Sequence, residues 1–262
     1  MASPRPAPGS GDLPLDREPS RIEAMFGDIA SRYDLMNRLM TAGLDGRWRR
    51  MAASEARLSP GDEALDVCCG TGDLAFSLVE ACPACAVTGL DFTPAMLVRA
   101  REKAATRARR GDPVPHAFLE GDLLDLPFDD GRFAAVTVGW GVRNVPDVPR
   151  AFAEMARVTR PGGRVVCLES TLPSTSWSRR FHALWQGCVV PTLGRLVSGD
   201  RSAYSYLPRS VAAFPGADEL AAVMSRAGLV RVRYRRLGLD AVALHVGEAP
   251  VAHPHEAGTA HD

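Results

Sequence analysis

Leu65-Asp66-Val67-Cys68-Cys69-Gly70-Thr71-Gly72-Asp73 runs from an apolar strand through a glycine turn into a helix. Glycines let the backbone approach a ligand closely, and a helix start offers free N–H groups. Outward from this stretch the chain alternates. A strand over Glu63–Val67 is followed by a helix over about 73–81 and a strand over Ala86–Leu90. Thr93-Pro94 then reads as an N-cap with proline at the first helical position, opening a helix that buries Met96, Leu97, Ala100 and Ala104. Further strands are expected over about 116–120, 133–138 and Arg164–Leu168, with a helix from Asp147 to about Val158 that ends near Pro161-Gly162-Gly163. Alternation of this kind predicts a mostly parallel α/β sheet with helices on both faces.

The flanks read differently. Residues 21–58 have the helical spacing of Ile22, Met25, Phe26 and Ile29. After 173 the alternation stops, and Trp177, Phe181, Leu184, Trp185, Cys188 and Val189 share one face of a helix. Helices over about 202–213 and 217–227 and strands over 229–236 and 240–247 complete the domain. Residues 1–20, with five prolines and no apolar periodicity, read as a disordered tail without the features of a signal or transit peptide. Residues 248–262 read as a second tail.

Composition excludes several classes. Lys+Arg and Asp+Glu are both 31, so nothing suggests a dedicated nucleic-acid binder. No run of 18 apolar residues spans a membrane. Lys103 is the only lysine, so a P-loop Gly-Lys-Ser/Thr and a Tyr-x-x-x-Lys dehydrogenase pair are both missing. The six cysteines sit irregularly in apolar runs and read as buried thiols of a reducing cytoplasm. Cys82-Pro-Ala-Cys85 has no second pair to complete a zinc site, so no metal is expected.

Ligands in such sheets bind at the C-terminal strand ends. Three acids stand there. Asp91, 21 residues after Gly70, can accept from both hydroxyls of a ribose; Asp122 can read an adenine amino group; Asp66 suits a cationic group such as the methionine amine of S-adenosylmethionine. Gly70-Thr71-Gly72-Asp73-Leu74-Ala75 also fits the dinucleotide pattern G-x-G-x-x-G/A, which keeps a nicotinamide-binding protein open. After the fourth strand, Gly139-Trp140-Gly141-Val142-Arg143-Asn144-Val145 places an arginine and an asparagine among small residues, a site or, for Arg143, a surface ion pair. Tyr33, in Ser31-Arg32-Tyr33-Asp34-Leu35-Met36-Asn37, is a substrate contact or a packed hinge residue.

Taken in order, these segments resemble the ubiquinone/menaquinone C-methyltransferase family over about residues 21–247. Met25-Phe26 to Asn37 resembles its F-x-x-[VI]-A-x-x-Y-D-x-M-N signature, Asp66 to Asp73 its D-x-x-x-G-T-G-D loop, and Gly141 to Val145 its G-[LIV]-R-N-V segment. Arg160 to Gly163, Tyr204 to Leu207, Phe214-Pro215 and Ala243 to Gly247 resemble later family motifs. The likeness implies a Rossmann-like class I methyltransferase with a seven-stranded sheet, N-terminal helices and a helical lid or insertion over about 174–227. It implies a cofactor set of Asp66, Gly70, Thr71, Gly72, Asp91, Phe92, Met96, Asp122, Leu123 and Gly139. The implied substrate contacts are Tyr33 and Asn144, and the implied catalytic residue is Arg143, stabilising a developing phenolate; Trp185 is a prenyl-tail contact or a core residue, read from the wide apolar face of its helix.

The implied reaction moves the methyl group of S-adenosylmethionine to a ring carbon of a polyprenylated quinol, demethylmenaquinol first. A ubiquinone precursor or a small phenolic acceptor is the alternative. Three departures touch the site: Gly139 where some members have serine, Leu168-Glu169-Ser170-Thr171 for an L-E-F-S-type run, and Leu237 to Asp240 for an L-T-x-G run. The expected location is cytoplasmic, with peripheral contact at the inner membrane face, since residues 99–110 carry six basic residues and one acid. A homodimer is the expected assembly.

Overall fold

The computed structural model describes residues 33–184 and 210–251, together with Glu23 and Gly27. The tail expected over 1–20, Trp185, Cys188 and most of the helix expected over 202–213 lie outside the described residues. Helices α1 (Tyr33–Met40) and α2 (Asp45–Glu55) lead into β1 (Glu63–Val67), α3 (Asp73–Ala81), β2 (Ala86–Asp91) and α4 (Pro94–Ala108). Then come β3 (Ala117–Glu120), β4 (Phe133–Gly139), a 3-10 turn (Val142–Asn144), α5 (Val148–Val158) and β5 (Thr159–Ser170). The C-terminal part holds α6 (Ser176–Leu184), α7 (Ala217–Arg226), β6 (Val230–Leu237) and β7 (Val242–Glu248).

One seven-stranded sheet runs β3-β2-β1-β4-β5-β7-β6. Its first five strands are parallel, and β7 is antiparallel to both neighbours. Strand order reverses between β1 and β4, which opens the crevice where such sheets bind ligands. The period of two along each strand feeds two cores. Ala64, Val166, Leu168, Leu244 and Val246 join Trp48, Leu78 and Leu97 from α2, α3 and α4 on one face. Leu65, Val67, Phe133 and Val165 join Phe152, Met155, Leu220 and Met224 from α5 and α7 on the other. Each of the Val, Leu, Phe and Met side chains contributes about 1.5–3 kcal/mol on burial. The expected α/β class and the mostly parallel sheet are therefore met.

Several local expectations are corrected. The helical stretch read over 21–58 breaks after α1, where Gly43, at φ 76°, donates its N–H to Arg38 O at 2.7 Å. No helix links β3 to β4. Arg157 of α5 holds that loop instead, donating to Leu126 O at 2.9 Å, Phe128 O at 2.8 Å and Asp130 at 2.7 Å. Thr93 occupies the N-cap of α4, but its side chain caps nothing on the helix; its N–H donates to Asp91 Oδ1 at 2.8 Å.

Pro161-Gly162-Gly163 does not end the helix as a loop. It forms a bulge inside β5, where the register jumps between Phe133↔Thr159 and Ala135↔Arg164. Cys82 and Cys85 are not thiols but a disulfide closing the turn before β2, their Cα atoms 5.4 Å apart. Cys68, Cys69 and Cys167 are free, as expected, and burial pushes their thiols up. The tail read from 248 begins too early: Glu248 ends β7, and buried Ala249 donates its N–H to Gly163 O at 2.9 Å.

Candidate active site

Beyond β1 the chain turns sharply. Cys68, Gly70 and Gly72 all have positive φ, at 50°, 55° and 87°. Gly72 is required there: a Cβ would press into the Phe118 ring at 2.8 Å. The turn frames a small, open cleft lined by Asp66, Gly70, Thr71, Gly139, Trp140 and Arg49. Four expected cofactor residues thus meet at one place.

Asp66 is 1% exposed and faces this cleft. Its Oδ1 accepts from Thr137 Oγ1 at 2.7 Å, while Oδ2 has no hydrogen-bond partner. Burial raises its pKa to about 7, against the Thr137 hydrogen bond, the nearby Ala75 backbone N–H and the charge of Arg49. An orphaned buried carboxylate oxygen beside a glycine loop fits an ammonium group, so the residues present suit the amino-acid end of S-adenosylmethionine. Two pH effects follow. The folded pKa lies above the ordinary value of about 3.9, so without ligand Asp66 costs stability progressively as pH rises from about 4 to 7. Donor affinity should rise about tenfold per unit as pH approaches 7 and fall above about 8, where an α-amino group loses its proton. Equilibrium dialysis across that range checks this, and Asp66→Asn should flatten the acid limb.

Asp91, 6% exposed, ends β2 beside the loop. Its Oδ2 accepts from Gly70 N at 2.8 Å and its Oδ1 from Thr93 N at 2.8 Å. Burial raises its pKa against those hydrogen bonds. The carboxylate therefore already shapes the loop it was expected to serve only as a ligand acceptor. Asp122 is exposed and accepts from Leu124 N at 2.8 Å; Leu123 is buried. Both follow β3, two strands out from β1, and neither lines the cleft. Phe92 is half-buried and Met96 buried after β2, and they too lie outside it.

Thr71 is buried, and its hydroxyl donates to Asp34 Oδ1 at 2.6 Å. Lys103 Nζ donates to Thr71 Oγ1 at 3.0 Å. The hydroxyl is thus engaged by protein, which leaves the Thr71 backbone for a cofactor contact.

Arg143 and Asn144 lie in the 3-10 turn and are 6% and 8% exposed. Arg143 is not a surface ion pair. Its Nη1 donates to Glu169 Oε1 at 2.7 Å and to Trp140 O at 2.7 Å. Glu169, 0% exposed near the end of β5, also accepts from Ser170 N at 2.8 Å. Tyr33 begins α1, but its side chain, like Trp185, is outside the described residues.

Gly141 has no room for a side chain: a Cβ would overlap Cys68 Cβ. Gly141→Ala should therefore cost about 1–3 kcal/mol and weaken donor binding by displacing the loop. Thermal denaturation with and without donor measures both. Trp140, at φ 57°, stacks under Arg49 at 5.0 Å and lies 6.4 Å from Trp48. Arg49, Lys103, Trp140 and Glu169 were not among the expected site residues. Glu169 is signalled by an acid ending the apolar run Val165–Leu168, and Lys103 by being the sole lysine.

The sequence pattern of the ubiE/COQ5 methyltransferase family matches residues 15–249. The chain belongs to the ubiE/COQ5 methyltransferase family. It is similar to the demethylmenaquinone methyltransferase of Thermus thermophilus, 46% identical over 86% of this chain and 100% of that protein. The demethylmenaquinone methyltransferase of Deinococcus radiodurans is 43% identical over 87% of this chain and 92% of its own. A SAM-dependent methyltransferase from Aquifex aeolicus shares the fold, with a TM-score of 0.56, 16% identity and coverage of 88% of this chain and 98% of that one. Membership makes the chain a methyltransferase using S-adenosylmethionine. The dinucleotide reading of Gly70 to Ala75 is set aside.

Proposed function

We propose that the chain transfers the methyl group of S-adenosylmethionine to a ring carbon of demethylmenaquinol. The observation that carries the acceptor is the likeness, over 86–87% of the chain, to proteins of that activity. Asp66 takes the donor's ammonium, Asp91 its ribose hydroxyls, and Asp122, Leu123, Phe92 and Met96 enclose its adenine end, with Gly70, Thr71, Gly72 and Gly139 as the backbone wall. When bound, the donor supplies a methyl group already activated on a sulfonium.

Arg143 acts on the acceptor. It stays protonated at any working pH, so it stabilises charge rather than removing a proton. Glu169 and the Trp140 carbonyl fix the guanidinium plane before substrate arrives, which spares reorganisation as phenolate charge grows. Asn144 and Tyr33 orient the ring, and Trp185 covers the prenyl tail.

No helix among the described residues is long and apolar enough to cross a membrane. The prenylated acceptor is reached peripherally, the exposed Arg99, Arg101, Arg109 and Arg110 facing anionic lipid at the inner membrane surface. A homodimer completes this reading. The test is anaerobic transfer of labelled methyl to demethylmenaquinol, a ubiquinol precursor and a simple catechol. A preference of about tenfold or more in kcat/KM for demethylmenaquinol is expected, about 1.4 kcal/mol in the transition state. Preference for either of the others overturns the acceptor.

A further inference from the structure

Lys103 is the only lysine among 31 basic residues; every other one is arginine. Its surroundings explain why arginine would not serve. Three acceptors converge on the single Nζ: Asp34 Oδ2 at 2.9 Å, Thr71 Oγ1 at 3.0 Å, and Asp73 Oδ1. An ammonium has three donors around one atom and matches them one to one. A guanidinium spreads its five donors over a plane and cannot converge on that point.

The partners come from separate elements. Asp34 belongs to α1, next to Tyr33; Thr71 and Asp73 belong to the donor loop and the start of α3; Lys103 belongs to α4. Both Asp34 oxygens are taken, Oδ1 by the Thr71 hydroxyl at 2.6 Å and Oδ2 by Lys103. On the far side, Arg49 of α2 approaches Asp73 Oδ2 at 3.4 Å. Without Lys103, the Asp34 and Asp73 carboxylates would face each other as like charges, and the contact between α1 and the loop would open.

We propose that Lys103 is a positioning residue that latches α1 onto the donor loop and couples occupation of the donor site to acceptor binding. This rests on the acceptor reading above only through Tyr33. A ligand that fixes Gly70 to Asp73 presents Thr71 and Asp73 to Lys103, and Lys103 then holds Asp34 and the helix that carries Tyr33. Such a coupling is reciprocal and typically about 5–150-fold.

Two measurements test it. The first is the affinity of oxidised, short-tailed demethylmenaquinone with and without S-adenosylhomocysteine. Wild type should bind the quinone about tenfold tighter with it present. In Lys103→Arg, Lys103→Met and Asp34→Asn that ratio should fall to about one. A wild-type ratio in Lys103→Arg overturns the latch. The second needs no substitution at Lys103 and no acceptor. Reductive methylation of the native protein, read by peptide mass spectrometry against the N-terminal amine, reports on this one lysine. S-Adenosylhomocysteine should slow it several-fold in wild type and not in Asp34→Asn. Equal rates with and without S-adenosylhomocysteine in wild type overturn the latch. Quinone that fails to bind wild type, beside protection of Lys103, overturns the acceptor reading and leaves the latch supported.

Discussion

Replacing Arg143 by alanine is expected to lower turnover about 10²–10³-fold, the usual loss when a donor to a developing oxyanion is removed. The same substitution strands Glu169, whose side chain is 1% exposed, without its cation. Breaking a buried pair from one side costs about 3–5 kcal/mol. The two effects separate in the double variant Arg143→Ala/Glu169→Gln, which removes the stranded charge. Stability should recover most of the way while turnover stays low. Arg143→Lys keeps a charge, and one ammonium can replace Nη1 toward Glu169 and the Trp140 carbonyl, but it lacks the further planar donors that would face the acceptor, so it should recover only part of the rate. Single-turnover kinetics on the quinol, beside thermal denaturation, decide the matter. Turnover recovered in the double variant would make Arg143 a purely structural partner of Glu169.

Asp91→Ala should weaken S-adenosylmethionine binding by about 10²–10⁴-fold. Two ribose hydrogen bonds to a charged acceptor contribute about 1.5–3 kcal/mol each. The fold should not be left untouched, because Asp91 also accepts from Gly70 N and Thr93 N. Orphaning two N–H groups at a buried turn costs about 1–3 kcal/mol each. Asp91→Asn keeps one acceptor oxygen and should fall between wild type and alanine in both respects. Titration calorimetry with S-adenosylhomocysteine gives the affinity, and denaturant unfolding gives the stability. An unchanged dissociation constant in Asp91→Ala would remove Asp91 from the ribose site.

The donor half was legible because its signals are local. A strand, two glycines and a helix lie within Leu65 to Asp73, and Asp91 ends the adjacent parallel strand, so sheet order alone brings it to Gly70. The acceptor half was less legible. Arg143 stood out, but its partner lies 26 residues on and meets it only because β4 pairs with β5. Lys103 was visible as an oddity of composition, yet Asp34 is 69 residues away, and nothing in either segment announces the other. Pro161-Gly162-Gly163 read as a loop because proline and two glycines ordinarily end an element. Here Gly163 sits where a Cβ would strike Ala134 O at 2.7 Å, so the same composition serves a bulge against β4. The cysteines misled for a different reason: a Cys-x-x-Cys is compatible with thiols, metal or a bridge, and only the turn before β2 selects among them.

The redox state of the acceptor tests the central claim most directly. A quinone ring carbon is electron-poor, whereas a quinol hydroxyl pushes electrons into the ring as it ionises, and the guanidinium of Arg143 stabilises that charge most in the transition state. The measurement is methyl transfer from S-adenosylmethionine to demethylmenaquinone, anaerobically, with and without prior borohydride reduction. Menaquinol should form only in the reduced sample, at a rate that collapses in Arg143→Ala/Glu169→Gln. Equal transfer to the oxidised quinone would contradict the account.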